Sequence, residues 1–156
     1  MHSVRWVLLA YRLPREPSTP RISVWRQLRR LGVAHLADGV VALPLDARTR
    51  EQLEWLAEDV VDHGGQATIW LAETGTAAQE RALAQQMTDG VDAAYARLLE
   101  SVSATAFEPE SVRRRTIPRL RRDLARIRAR DFFPTPLANR AQASVEALAR
   151  SLEAAS

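Results

Sequence analysis

The sequence has no cysteine and no lysine. Without cysteine, neither a disulfide framework nor a thiolate metal site can form, and the redox compartment stays open. No stretch approaches the roughly 20 apolar residues that span a bilayer. The apolar run Val4–Leu13 contains Arg5 and Arg12 and is followed by no small-residue cleavage site, so it does not read as a signal peptide. The expectation is a soluble, cytoplasmic protein without membrane association. Histidine is scarce: His2, His35 and His63 have no spacing that puts two on one helix face. No HExxH, GxSxG or GxxxxGKS/T signature occurs. His35 reads as a half-buried hairpin residue and His63 as a helix C-terminal one, where partial positive charge is favoured. Glu51, Glu54, Glu58 and Asp62 recur every three or four residues and read as a solvated helix face. No catalytic residue, metal ligand or cofactor is expected, and the chain does not read as an enzyme. Internal repeats and low-complexity linkers are also missing.

What is present is a 156-residue chain, 46% hydrophobic, enough to bury a core. All 22 basic residues are arginine. A GC-rich genome explains arginine over lysine, but it says nothing of where the arginines fall. Residues 1–32 carry a net +6, residues 33–112 a net −10 and residues 113–156 a net +7, inside a total of only +3. Nine arginines and one acid, Asp123, lie between Arg113 and Arg130. Such asymmetry means that the basic ends bind the acidic middle or face an external polyanion.

Local signals order the first half. Arg5–Arg12 is rich in β-formers and ends before Pro14, which predicts a buried strand. Thr19 as N-cap, Pro20 at the first helical position and Gly32 as the stop bracket a helix. Ile22, Trp25, Leu28 and Leu31, three residues apart, predict its buried side, with Arg26, Arg29 and Arg30 pointing away. Asp38-Gly39 predicts a hairpin between two short strands. Asp46 caps a second helix that buries Leu53, Leu56 and Val60, with Trp55 beside them, and Gly64-Gly65 ends it. "QATIWLAE" is the last strand. The four tryptophans, Trp6, Trp25, Trp55 and Trp70, all fall at expected core positions.

This β-α-β-β-α-β order predicts a ferredoxin-like sheet with both helices on one face. From Thr76 the pattern is helical, with Leu83, Met87, Val91, Tyr95, Leu98 and Leu99 in step. Pro109 and Pro118 are expected to limit where the next helix begins. Leu120, Leu124 and Ile127 form its apolar stripe, and Arg119, Arg122, Arg126 and Arg130 lie together nearly opposite. Leu137–Leu152 is a final helix with Val145, Leu148 and Leu152 inward. The expected architecture is α+β: a ferredoxin-like βαββαβ unit over residues 1–74 and a C-terminal α-helical region over 75–156 packed on it as one compact structure.

The two arginine clusters are the strongest chemical signal. Guanidinium groups bond phosphate and guanine edges bidentately, and a basic surface gains affinity by counterion release. Charge alone leaves three readings open: nucleic-acid binding, pairing with acidic helices within or between copies, and a solvated face with no specific role.

Three ordered blocks then carry a resemblance: "WVLLAYRLPREPSTPRISVWRQLRRLGVAHLADGVVALP", "RTREQLEWLAEDVVDHGGQATIWLAE" and "LRRDLARIRARDFFP". They resemble the N-terminal domain of the ChrB chromate-resistance regulator family. The first seventy residues are also similar in pattern to the central domain of PaaX-type repressors, which shares the ferredoxin-like fold of CRISPR-associated nuclease subunits. Those nucleases hold metal with an aspartate at the end of the first strand, where this chain has Arg12. The departure argues against metal-dependent phosphodiester cleavage.

The ChrB resemblance implies a transcriptional regulator that represses a chromate-efflux operon and releases DNA when chromate is present. By position it implies Arg15 and Arg21 as DNA contacts, supplemented by Arg26, Arg29 and Arg30. The ridge Arg119, Arg122, Arg126 and Arg130 is a second candidate surface. The resemblance further implies that full-length members carry a second domain of comparable size, so a separately encoded ChrB-type C-terminal domain is one expected partner. A homodimer is another. Direct binding of the chromate oxyanion by paired arginines is a further alternative, because a small dianion suits a guanidinium fork.

Overall fold

The computed structural model describes residues 4–155, so His2 lies outside the described residues. Strand β1 is Trp6–Arg12, helix α1 Thr19–Leu31, β2 Ala34–Ala37, β3 Val40–Pro44, α2 Ala47–Asp62 and β4 Gln66–Ala72. Three helices follow: α3 Ala77–Ala106, α4 Glu110–Ala129 and α5 Pro136–Ala155. The strands form one antiparallel sheet in the order β2-β3-β1-β4. That order and the βαββαβ sequence of elements make the fold α+β with ferredoxin-like topology.

The local chemistry explains the element boundaries. Gly32 ends α1 at φ 73°, its N–H donating to the carbonyls of Leu28 and Arg29. Gly39 turns the β2–β3 hairpin at φ 74°. A Cβ there would stand 2.4 Å from the Tyr11 carbonyl oxygen, so both the backbone angle and the close approach require glycine. Asp46 caps α2 in a capping box: its carboxylate accepts from the Thr49 N–H at 2.7 Å, and the Thr49 hydroxyl accepts from the Asp46 N–H at 3.0 Å. The buried Thr49 hydroxyl also donates to the Pro44 carbonyl at 2.6 Å, tying β3 to the helix start. At the start of α3, Thr76 and Gln79 exchange a second reciprocal pair of bonds, each 3.1 Å.

The first compact unit runs to Met87. Opposed pairs Val7–Leu43 and Leu9–Val41 share one sheet face. Their side chains are buried with Val24 and Leu28 from α1 and Leu53, Leu56 and Val60 from α2. The other face carries Trp6, Leu8, Ala42 and Trp70. The first turns of α3 cover part of it, and Ala82 and Leu83 line a shallow cavity of about 460 Å³ with Leu8 and Leu36. The second unit begins at Thr88. Its core draws on three helices: Val91, Tyr95, Leu98 and Val102 of α3; Ile117, Leu120, Leu124 and Ile127 of α4; and Ala141, Val145, Leu148 and Leu152 of α5. The buried Tyr95 hydroxyl donates to Asp131 Oδ2 at 2.9 Å, and burial followed by this bond pushes the phenol well above its ordinary range.

Four expectations are corrected. On α1, Val24 and Leu28 are buried, whereas Ile22 and Trp25 are 47% and 51% exposed. A step of three residues drifts 60° backwards around a helix, so four residues so spaced wrap half of it. Only the Leu28–Leu31 end meets the core, with Val24 filling in. Trp55 and Trp70 are likewise exposed, leaving Trp6 as the one buried indole. Trp55 lies more than 90° from the Leu53–Leu56–Val60 stripe, and Trp70 stands on the sheet face away from α1 and α2. Pro118 lies inside α4, not ahead of it. Its missing N–H costs an isolated helix about 3 kcal/mol, but Ile117 and Leu120 on either side are buried and hold the helix across the gap. Finally, His35 is exposed, because its strand is an edge and its backbone, not its ring, makes the tertiary bonds.

Candidate nucleic-acid interface

Four arginines of the first unit, Arg12, Arg15, Arg21 and Arg26, line one concavity of about 750 Å³. The end of β1 brings Tyr11 and Arg12, the loop before α1 brings Arg15 and Ser18, and the first turns of α1 bring Arg21, Ile22, Trp25 and Arg26. The hairpin tip, Asp38-Gly39, closes the far side, fixed there by the Tyr11 N–H donating to the Gly39 carbonyl at 2.8 Å. Ile22 and Arg26 also border a neighbouring hollow of about 490 Å³ that reaches Arg30.

The electrostatics of this surface are one-sided. Four arginines line the larger concavity against one carboxylate, Asp38. Among the described residues, Arg12, Arg15, Arg21, Arg26 and Arg30 form no ion pair. The Ser18 side chain makes no cap bond and the first turn of α1 holds no acid, so the positive end of the helix dipole is uncompensated at the same spot. Burial raises the pKa of Tyr11 even though Arg21 pulls it down, so the phenol stays neutral and adds no negative charge. Arg29 stacks over the Trp25 ring, 4.8 Å from its centroid. The exposed indole is thus braced by a cation on the rim of a cationic concavity.

The second unit divides its arginine cluster by helix face. On the α5 side, Arg121 pairs with Glu146 at 3.4 Å, Arg113 donates to Ser151 at 3.4 Å and Arg128 donates to Gln142. Arg114 is taken by Glu110 at 2.6 Å within α4. The ridge differs. Arg119 and Arg122 are exposed and form no ion pair among the described residues. Arg126 stands 3.6 Å from Asp123, and Arg130 at the helix end reaches back to the Arg126 carbonyl at 3.5 Å. Arg126 and Arg130 share a small groove of about 250 Å³ with Arg97 of α3.

The structure therefore brings Arg15, Arg21 and Arg26 to one concavity, sets Arg30 in the hollow beside it and Arg29 over Trp25, and strings Arg119, Arg122, Arg126 and Arg130 along one face of α4. Sequence reasoning assigned none of Tyr11, Arg12, Ile22, Trp25 and Arg97 to a binding surface, and set Ile22 and Trp25 in the core. The 60° drift of the Ile22–Leu31 series is the signal that could have found Ile22 and Trp25. No group of three or more His, Asp or Glu side chains among the described residues is placed to hold a metal ion. No helix among them is long and apolar enough to cross a membrane.

Fold and site together define an α+β protein of ferredoxin-like topology that presents two arginine-rich faces, one of them edged by an exposed indole. The chain belongs to the ChrB N-terminal family: residues 21–110, from the first turn of α1 to the start of α4, match "Protein ChrB, N-terminal". It is 32% identical over 142 residues to Protein ChrB of Cupriavidus metallidurans, an alignment covering 88% of this chain and 43% of that protein. The chain thus spans less than half the length of the curated relative it matches. No solved structure matches it.

Proposed function

We propose that this chain is a DNA-binding regulator, or the DNA-binding part of one, linked to chromate resistance, and that it acts by gripping the phosphate backbone and not by catalysis. Membership of the ChrB family supports the regulatory context. The observation that carries the reading is the concavity of the first unit, where Arg12, Arg15, Arg21 and Arg26 converge with one acid among them and, among the described residues, no ion pair to neutralise them.

Unpaired guanidinium groups on a concave surface release counterions when phosphates replace them. Trp25 and Ile22 add exposed apolar area between the cations, which suits sugar and base contact. The α4 ridge of the second unit is a further row of cations able to meet phosphate.

The test is a fluorescence-anisotropy titration of a duplex carrying the DNA upstream of this chain's own gene, in about 50 mM salt. Saturable binding that outcompetes an unrelated duplex and weakens steeply with salt is expected. No saturable binding to any duplex at that salt would overturn the proposal.

A further inference from the structure

We propose that β4 is the surface through which two copies of this chain associate, pairing antiparallel about a two-fold axis so that two four-stranded sheets become one of eight strands. The sheet has two edges, β2 and β4, and the structure treats them differently. On β2, Gln86 lays its side-chain amide along the strand: the His35 N–H donates to Gln86 Oε1 at 2.6 Å, and Gln86 Nε2 donates to the His35 carbonyl at 3.3 Å. That amide imitates a neighbouring strand and occupies the edge. Nothing comparable covers β4. Among the described residues, no backbone N–H or carbonyl of Gln66–Ala72 bonds on the side away from β1.

The composition of β4 points the same way. In a chain with 26% charged residues, Gln66–Ala72 has none, and no proline or glycine. Charge, proline and bulges are the usual devices that keep an edge from pairing, and all are missing here. Trp70 is 59% exposed on one face of the strand and Leu71 40% exposed on the other, so apolar area flanks the open backbone on both sides. The Trp70 indole donates to the Thr68 hydroxyl at 2.9 Å, which holds the ring along its own strand.

The occupant best matched to this edge is a second β4. An uncharged strand offers no charge with which to select a foreign charged segment, whereas two identical neutral strands meet with no like charges opposed. Isologous pairing also uses the same patch on both partners, as two-fold dimers do. Seven residues give an edge of about 24 Å. With the flanking side chains this buries roughly 800–1,000 Å² in total, at the low end for a specific interface, so the dimer should form reversibly in the micromolar range.

Sedimentation equilibrium of the full chain, from about 1 to 500 µM, reads the association directly. The expected result is a concentration-dependent monomer–dimer equilibrium that the double variant Thr68→Lys with Trp70→Lys weakens at least about tenfold, with its circular dichroism unchanged. Because the chain has no cysteine, a single Thr68→Cys gives a second readout that does not depend on the lysine variant folding. It should be trapped as a dimer by a short bis-maleimide, while Leu36→Cys, exposed on β2 at the opposite edge of the same sheet, should not. A chain that stays monomeric throughout, a folded lysine variant that dimerises like the parent, or equal cross-linking at positions 68 and 36 would each overturn the proposal.

Discussion

Replacing Arg15 and Arg21 with alanine tests the cationic concavity quantitatively. Both are exposed and neither has a carboxylate partner among the described residues, so the fold should tolerate their loss. Suppose that Arg12, Arg15, Arg21, Arg26 and Arg30 each neutralise one phosphate. Then log Kobs falls with log salt at a slope near −4.5, taking about −0.9 per phosphate. Without two of them the slope is about −2.7. Between 50 and 200 mM salt the parent should lose about 500-fold in affinity and the variant about 40-fold. The α4 ridge adds the same increment to both proteins, so the informative quantity is the slope difference of about 1.8. Anisotropy titrations across that salt range, with thermal melts to confirm equal folding, measure it. A variant that binds as tightly as the parent with the same slope refutes the assignment. Weaker binding with an unchanged slope would mean that these side chains act by some means other than phosphate neutralisation.

Two further outcomes follow from the packing. Tyr95→Phe removes a hydrogen bond from the buried hydroxyl to Asp131 and should cost about 1–3 kcal/mol in a urea melt at neutral pH. The parent phenol has a raised pKa when folded, so its stabilising effect is complete below the unfolded value of about 10 and is lost as pH climbs above it. The gap between parent and variant should therefore narrow in melts above pH 10, and a gap that widens there would contradict the geometry. Gly39→Ala forces a Cβ to within 2.4 Å of the Tyr11 carbonyl oxygen at a positive φ. A loss of about 1–3 kcal/mol is expected, and a melt matching the parent would show that the hairpin tip is not seated on β1.

The order of the elements is legible because its signals are local. Asp38-Gly39, the Asp46 cap, Gly32 and Gly64-Gly65 each fix one boundary by backbone chemistry that distant residues do not alter. The ChrB resemblance is legible for a similar reason, since three ordered blocks carry it. The direction in which a side chain faces is a tertiary matter. On α1 the apolar residues cover half of the helix, and only the sheet decides that Val24 wins over Ile22 and Trp25. On β4, alternation places Trp70 and Leu71 on opposite faces but cannot show that the strand is an edge. Pro118 reads as a helix breaker until the buried residues on both sides of it are seen to hold α4 together. The arginines could be counted in the sequence, but which ones are already tied to α5 could not.

Three of the four indoles stand in solvent, while Trp6 is sealed in the sheet. A guest seated in the concavity has Trp25 among its walls, with the Arg29 guanidinium lying on the ring, and contact there changes the ring's surroundings. The molecule thus supplies its own fluorescent reporter of occupancy, readable without a dye once Trp55 and Trp70 are replaced by phenylalanine.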